Sequence, residues 1–236
     1  MKPTLASSPV ATQWLDIATG FAGYLALPPA GRGPGLLLWP EIFGINPHIR
    51  AVAEQYALDG FVVLAPDVFW RDAPRVELGY QGEERDRALG LMRRYGEGLA
   101  RADVHAALSS LRARAEVQGR VGCLGYCLGG RLAYLTAATT DADAAVAYYG
   151  GGIQNLLGLA GDVRCPLQLH YAEVDDSIPM TAVQAVRHAL PAAELHVYAG
   201  ARHGFNCWAR AAYHAPSAAL AHGRSLSFLA QNLAGA

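Results

Sequence analysis

The 236-residue chain lacks the sequence features of a nucleic-acid-binding, membrane-spanning or disulfide-stabilised protein. Its 19 Lys and Arg residues nearly balance 20 Asp and Glu residues, so no excess of positive charge indicates a nucleic acid or an anionic membrane as partner. No apolar run approaches the roughly 18 residues that a membrane span needs. The four cysteines lack zinc-site spacing and are too few for a disulfide scaffold. We therefore expect no nucleic-acid partner, no membrane partner, no metal and no cofactor.

The sequence also lacks internal repeats, low-complexity tracts and any linker long enough to separate two domains. Its first 16 residues, MKPTLASSPVATQWLD, contain one lysine and no unbroken apolar segment. We therefore expect no signal peptide, and the predicted compartment is the cytoplasm. We predict a single domain over residues 1–236 that is a monomer or a small homo-oligomer.

Short apolar runs alternate with amphipathic stretches along most of the chain, which predicts an α/β fold. The first two strands, residues 13–17 and 23–27, form a predicted hairpin, and the segment 67–98 is predicted to be irregular with helical pieces. The other predicted strands are 35–40, 61–66, 120–125, 144–150, 166–176 and 194–200, and the predicted helices are 46–60, 101–114, 128–139, 181–190 and 216–233. This alternation predicts a mostly parallel sheet with helices on both faces and the carboxyl ends of its strands at one edge.

A strand-to-helix turn in this pattern carries the motif G-x-C-x-G, with Cys127 at its centre between Gly125 and Gly129. A sharp turn here would lift the thiol above the sheet edge and crowd the two glycines together. The helix amino terminus favours a thiolate, and the backbone N–H of Leu128 is placed to bind an oxyanion. The alternatives are a buried structural thiol and a dinucleotide-binding loop, but the glycine spacing does not fit the latter.

A cysteine nucleophile needs a histidine, and the histidine needs a carboxylate to orient it. His203 alone among eight histidines lies in a loop after the last predicted strand. The carboxylate is predicted in YAEVDDSIP, where Asp175 is preferred over Asp176 and Glu173 is a third candidate. Five histidines fall in predicted helices or at their ends and are interpreted as surface residues: His48, His105, His188, His214 and His222. Two in strands are interpreted as structural: His170 and His196.

Four stretches in this order, PEIFGIN, GYCLGGRLAY, EVDDSIP and GARHGF, resemble the dienelactone hydrolase family over nearly the whole chain. The resemblance implies an α/β-hydrolase fold without a large cap domain and attack by a cysteine on a small ester or lactone. Cys127, Asp175 and His203 match the family triad. Glu41 matches a glutamate that helps to activate the thiol, and its neighbour Ile42 would supply a second oxyanion N–H.

The family's type enzymes hold a substrate carboxylate with two arginines and a tyrosine, and this clamp is only partly matched. Arg87 matches one arginine, while Leu91 and Cys207 stand where the tyrosine and the other arginine are expected. The sequence therefore predicts a broad esterase with a modest preference for acidic substrates. Arg87 could instead be an ordinary surface charge. Trp208 is a candidate for the pocket wall, with packing of the last helix as the alternative.

Two other classes of function compete with a cysteine hydrolase. The first is a small-molecule binding protein on the same fold, which would not need Cys127, Asp175 and His203 together. The second is a thiol redox enzyme, which would need a resolving cysteine near Cys127. Cys123 lies about 13 Å back along the predicted strand at ~3.3 Å per residue, too far to pair with it.

Overall fold

The computed structural model describes residues 9–233, which form one eight-stranded mixed sheet and six α-helices. The strands are β1 (Ala11–Ala18), β2 (Phe21–Leu27), β3 (Gly33–Trp39), β4 (Val62–Pro66), β5 (Val117–Tyr126), β6 (Ala145–Tyr148), β7 (Leu167–Val174) and β8 (Glu194–Arg202). The helices are α1 (Pro47–Leu58), α2 (Gly82–Arg94), α3 (Glu97–Arg112), α4 (Leu128–Thr139), α5 (Met180–Ala189) and α6 (Ala215–Leu233). Two short 3-10 stretches, Ile153–Asn155 and Leu157–Asp162, lie between β6 and β7.

The strand order is β1-β2-β4-β3-β5-β6-β7-β8. The β1–β2 hairpin and the β2–β4 pair are antiparallel, whereas every pairing from β4 to β8 is parallel. The predicted α/β-hydrolase architecture with a mostly parallel sheet is therefore confirmed, and the described residues form no separate cap domain. Because six strands are parallel, the loops after β3, β5, β7 and β8 meet at one edge of the sheet.

Helices cover both faces of the sheet, and neighbouring residues of β5 show this. The Cys123 thiol points to α4, where it donates to the carbonyl oxygen of Ala133 at 3.6 Å. A Cβ on the preceding Gly122 would instead meet Leu233 of α6. Successive strand residues face opposite sides, so α4 and α6 lie on opposite faces. Strands buried on both faces explain why their sequences are continuous apolar runs.

Local signals set the bounds of α1 as the sequence predicts. The Asn46 side chain accepts from the backbone N–H of Ile49 at 3.2 Å, and Pro47 occupies the first helical position. Gly60 follows the helix with a φ of 100°, a conformation that L-residues other than glycine rarely adopt.

The segment 67–98, predicted to be irregular with helical pieces, contains the regular helix α2 over residues 82–94, and only Ala88 and Leu91 of this helix are fully buried. An apolar stripe this narrow gives almost no periodic signal in the sequence. His48 is buried rather than on the surface, since the Trp208 ring packs against it at a centroid distance of 4.2 Å. Burial, followed by the nearby Arg210, lowers the pKa of His48 to about 4.

Part of the N-terminal stretch used for the signal-peptide prediction, residues 1–8, lies outside the described residues. Between residues 9 and 233, no helix is both long and apolar enough to cross a bilayer. No group of three or more His, Cys, Asp or Glu side chains in the same part of the chain is arranged to hold a metal ion.

Candidate active site

Cys127 occupies a strained turn between β5 and α4, with φ 56° and ψ −113°. This backbone conformation is costly for a residue with a side chain and persists only when its surroundings enforce it. A Cβ on Gly125 would collide with the carbonyl group of Gly129, and a Cβ on Gly129 would collide with that of Trp39. The two glycines are thus required for steric reasons, and the turn holds the thiol at the carboxyl edge of the sheet, part exposed.

Two neighbouring strands bring a histidine and an aspartate to the same edge. Asp175 directly follows β7 and His203 directly follows β8. The Nδ1 atom of His203 lies 2.8 Å from Oδ2 of Asp175, and the other carboxylate oxygen accepts from the backbone N–H groups of Ser177 and Ile178 at 2.8 and 3.1 Å. These contacts fix the carboxylate and therefore the plane of the imidazole. With Nδ1 bound to Asp175, Nε2 is left for the thiol.

The charge state of His203 follows from its neighbours. Burial alone would lower the pKa of His203, but the Cys127 thiol and the Asp175 carboxylate outweigh burial and raise that pKa to about 10. A thiolate at Cys127 and an imidazolium at His203 would therefore stabilise each other as an ion pair. The Tyr149 ring lies beside the imidazole, with centroids 5.0 Å apart.

The structure brings Asp175, and neither of its two competitors, to the histidine. The side chain of Asp175 is 1% exposed, whereas Asp176 and Glu173 are exposed. Glu173 accepts from the backbone N–H of Gly200 at 2.8 Å and so stabilises a turn in β8. Asp175 is also the residue of YAEVDDSIP preferred on sequence grounds.

Glu41 follows β3 and its side chain is only 2% exposed. Its Oε1 atom accepts from Arg210 at 2.9 Å, while Oε2 has no hydrogen-bond partner among the described residues. Burial raises the pKa of Glu41, although Arg210 and His203 act in the opposite direction. A buried carboxylate oxygen without a hydrogen-bond donor is costly, so a donor brought close to Oε2 would stabilise the charged form of Glu41.

A cavity of about 360 Å³, here called the nucleophile cavity, opens in front of the thiol. Cys127, His203, Ile42 and Leu128 all line it, so both residues predicted to donate oxyanion N–H groups lie at its wall. The other lining residues are Phe43, Arg85, Leu89, Met92, Arg131, Gly151, Gly152, Gln154, Asn155, Ser177 and Arg210. The volume is in the range of small-molecule sites.

The structure does not bring Arg87 or Trp208 to the nucleophile cavity. Arg87 is exposed on α2, and the arginine of that helix that lines the cavity is Arg85, two residues earlier. Two residues along a helix is a rotation of roughly 200°, which places the two side chains on opposite faces. Trp208 is 47% exposed and packs edge-on against His48.

Sequence reasoning missed Arg210 because it looked for an arginine four residues after His203, where Cys207 stands. Cys207 is buried, and burial raises the pKa of its thiol to about 12. Arg210 reaches the cavity from seven residues after His203 through a tight turn, and a Cβ on Gly204 would clash with its guanidinium. A search of the whole loop for a cation, rather than of one position, would have found it.

Arg131 and Tyr149 were also missed, for different reasons. Arg131 stands four residues after Cys127 in GYCLGGRLAY, where it looks like an ordinary helix-surface charge. Tyr149 directly follows β6 with a φ of 35°, and its buried hydroxyl has no hydrogen-bond partner within residues 9–233. Neither the strained backbone nor the unpaired hydroxyl leaves a signal in the sequence.

Comparison with known proteins places this site in context. The model of the dienelactone hydrolase family matches residues 21–233. A carboxymethylenebutenolidase of Pseudomonas sp. (strain P51) is 39% identical over 189 residues, covering 78% of this chain and 79% of the relative. A carboxymethylenebutenolidase of Pseudomonas putida is 33% identical over 214 residues, covering 89% and 91%.

A solved structure agrees with these relatives. The crystal structure of a "putative dienelactone hydrolase" from Klebsiella pneumoniae subsp. pneumoniae superposes with a TM-score of 0.84 at 30% identity. The superposition covers 94% of this chain and 99% of that one. Both the fold and the sequence similarity therefore extend over nearly the whole described chain.

Proposed function

The chain belongs to the dienelactone hydrolase family, and from that premise we propose that it hydrolyses dienelactones and related small esters with Cys127 as the nucleophile. The observation that carries the proposal is that Cys127 and His203 line one small-molecule cavity and that the buried Asp175 holds the histidine. We further propose that the protein acts in the cytoplasm as a single-domain monomer or small homo-oligomer.

The proposed reaction has two steps. The sulfur of Cys127 forms a bond with the carbonyl carbon, the ester C–O bond breaks, and the His203 imidazolium gives its proton to the leaving oxygen. Water then attacks the thioester with neutral His203 as base, and the sulfur leaves as thiolate while the imidazolium forms again. The backbone N–H groups of Leu128 and Ile42 would stabilise the oxyanion in both steps. Asp175 would keep the imidazole oriented throughout.

The charge of the nucleophile cavity supports an acidic substrate. Arg85, Arg131 and Arg210 line this cavity, and none of the described lining residues is a carboxylate. The expectation of a broad esterase with only a modest preference for acidic substrates, which counted only Arg87, therefore gives way to the proposal of a carboxylate-bearing lactone. Such a carboxylate bound at Arg210 would share the guanidinium with Glu41 and weaken the hydrogen bond that Arg210 donates to Glu41.

The direct test is hydrolysis of a dienelactone by wild type and by Cys127→Ala, followed by the loss of ultraviolet absorbance of the conjugated ring. We expect a loss of about 10⁴-fold or more in kcat, because the members of such a triad act as a unit. Cys165→Ala is the matched control, since this part-exposed cysteine lies outside the cavity. Turnover by Cys127→Ala close to that of wild type would refute the proposal.

A further inference from the structure

A second, larger cavity of about 460 Å³, here called the second chamber, adjoins the nucleophile cavity. The two share Met92, Arg131, Gly152 and Asn155 in their walls, so they adjoin at a boundary formed by these residues, here called the waist. We propose that the second chamber is a substrate subsite that takes an acidic substituent, with Arg131 as its cation. This inference rests on the proposed function and specifies the substrate: an ester whose reactive carbonyl lies at Cys127 and whose carboxylate lies several bonds away.

Arg131 carries a charge that the described part of the protein does not neutralise. Its side chain is half-buried and has no hydrogen-bond or ion-pair partner among residues 9–233. Arg210, by contrast, is bound to Glu41 at 2.9 Å. A half-buried guanidinium with five unused donors is costly unless something outside the protein binds it, and a carboxylate matches its geometry.

The position of Arg131 in α4 argues against a role in stability. It lies in the first turn of the helix that follows Cys127, and its backbone N–H donates to the Cys127 carbonyl oxygen at 3.2 Å. A cation in the first helical turn opposes the helix dipole. No acidic residue of that turn offsets this cost. The residue therefore weakens its own helix while it places a positive charge one turn from the nucleophile.

Gly152 fixes the course of the Arg131 side chain at the waist. A Cβ on Gly152 would lie 3.1 Å from Cδ and 3.2 Å from Nη1 of Arg131, and the glycine has a φ of 94° that disfavours other residues. The guanidinium thus packs directly on a glycine that lines both cavities. This contact holds the Arg131 side chain at the boundary that the two cavities share.

The remaining charged groups of the second chamber do not cancel this charge. Glu97 lines the chamber, but Arg101 binds its carboxylate at 2.8 Å. Arg93 lines the chamber too and adds a positive charge at its exposed rim. The hydroxyl of Tyr95 already donates to Asp103 at 2.9 Å, so among the described lining residues the unpaired positive charge of this chamber comes from Arg131 and Arg93. The excess of positive charge among these lining residues favours an anion in the second chamber.

The test measures kcat/KM for p-nitrophenyl half-esters of adipic, suberic and sebacic acid against neutral p-nitrophenyl esters of the same acyl length. Shorter half-esters are avoided because their own carboxylate attacks the ester. We expect wild type to prefer the charged partner by about tenfold or more at the best length, the effect of one charged hydrogen bond. In Arg131→Gln this preference should fall to about one, and Arg131→Lys should restore part of it. Arg87→Gln removes an exposed charge outside both cavities and should keep the wild-type preference.

A second pair of variants tests the chamber itself. Gly96 lines the second chamber, and a Cβ added at this position would meet no atom within 4 Å, so Gly96→Phe should obstruct the chamber without strain. Gly98 is equally open but lies outside both cavities, which makes Gly98→Phe the matched control. We expect Gly96→Phe to lower kcat/KM for the long half-esters about tenfold relative to p-nitrophenyl acetate, and Gly98→Phe to leave this ratio unchanged.

Two results would overturn the inference while leaving the proposed function in place. One is an active wild type that shows no preference for the charged ester at any length. The other is a preference that Arg131→Gln leaves intact. If wild type shows no Cys127-dependent hydrolysis of any ester, the proposed function itself fails and the inference fails with it.

Discussion

The reactive groups and the arginines of this site are held in different ways. Cys127, Asp175 and His203 directly follow parallel strands, and strained backbone or hydrogen bonds fix each of them. Arg85, Arg131 and Arg210 reach the same cavity from two helices and a loop, and only Arg210 has an ion-pair partner within the described residues. The comparison indicates that the sheet edge determines the chemistry, while side chains from surrounding elements determine which substrate is held.

The largest expected effect concerns the reactive groups that follow the strands. Asp175→Asn should lower kcat by about 10⁴-fold, because an amide in place of the carboxylate favours the wrong imidazole tautomer. Asp176→Asn, at the adjacent exposed position, should stay within about twofold of wild type, as expected of a solvated surface group. Steady-state kinetics on one lactone would show both effects. A larger loss in Asp176→Asn would assign the triad carboxylate to the other residue.

A smaller effect concerns Arg210, the arginine that forms an ion pair with the buried Glu41. Arg210→Gln leaves the buried Glu41 without its cation, which should cost about 3 kcal/mol in the free energy of unfolding at neutral pH. Burial raises the pKa of Glu41 above its ordinary 4.5, and loss of Arg210 raises it further. At pH values between its unfolded and folded pKa, Glu41 is then ionised in the unfolded chain and protonated in the folded one, so the destabilisation should grow as pH rises above about 4.5 and level off above the folded pKa.

Denaturant unfolding of wild type and Arg210→Gln at several pH values measures this dependence. The double variant Glu41→Gln/Arg210→Gln is the control, since with no carboxylate left to titrate the extra pH dependence should disappear. If the single variant loses the same stability at pH 4 and pH 8, Glu41 and Arg210 do not depend on each other as the 2.9 Å contact suggests.

The smallest effect separates two arginines of α2. Arg85 lines the nucleophile cavity and Arg87 does not, but both are exposed. Arg85→Gln should therefore lower kcat/KM for a carboxylate-bearing lactone only about threefold, as for other solvated charge pairs. Arg87→Gln should have no measurable effect on the same substrate. The opposite order would show that α2 turns its other face to the substrate.

The contrast between the groups that follow strands and the surrounding arginines also explains which residues could be predicted from the sequence. The fold and the positions of Cys127, Asp175 and His203 depend on local patterns, namely apolar strand runs, a glycine pair around a turn and residues that follow strands. The structure brings these three together, and their catalytic roles stay a proposal. Arg210 reaches Glu41 across 169 positions of the chain, a contact that depends on how two loops meet.

Arg87 shows the limit of matching residues one by one. Its match to an arginine of the family suggested a substrate contact, but an offset of two residues turns a helical side chain to the opposite face. Strand-edge residues are less sensitive to this error because every parallel strand ends at the same edge. Predictions from sequence are therefore stronger for the triad than for the groups that bind substrate.

The central claim is that Cys127 carries the acyl group during turnover. Rapid quenching of wild type with excess dienelactone, followed by intact-protein and peptide mass spectrometry, tests it most directly. Opening a lactone leaves both fragments joined, so the account predicts an adduct with the mass of the whole lactone on Cys127, absent from Cys127→Ala. An adduct on any other residue, or continued turnover by Cys127→Ala, would contradict the claim.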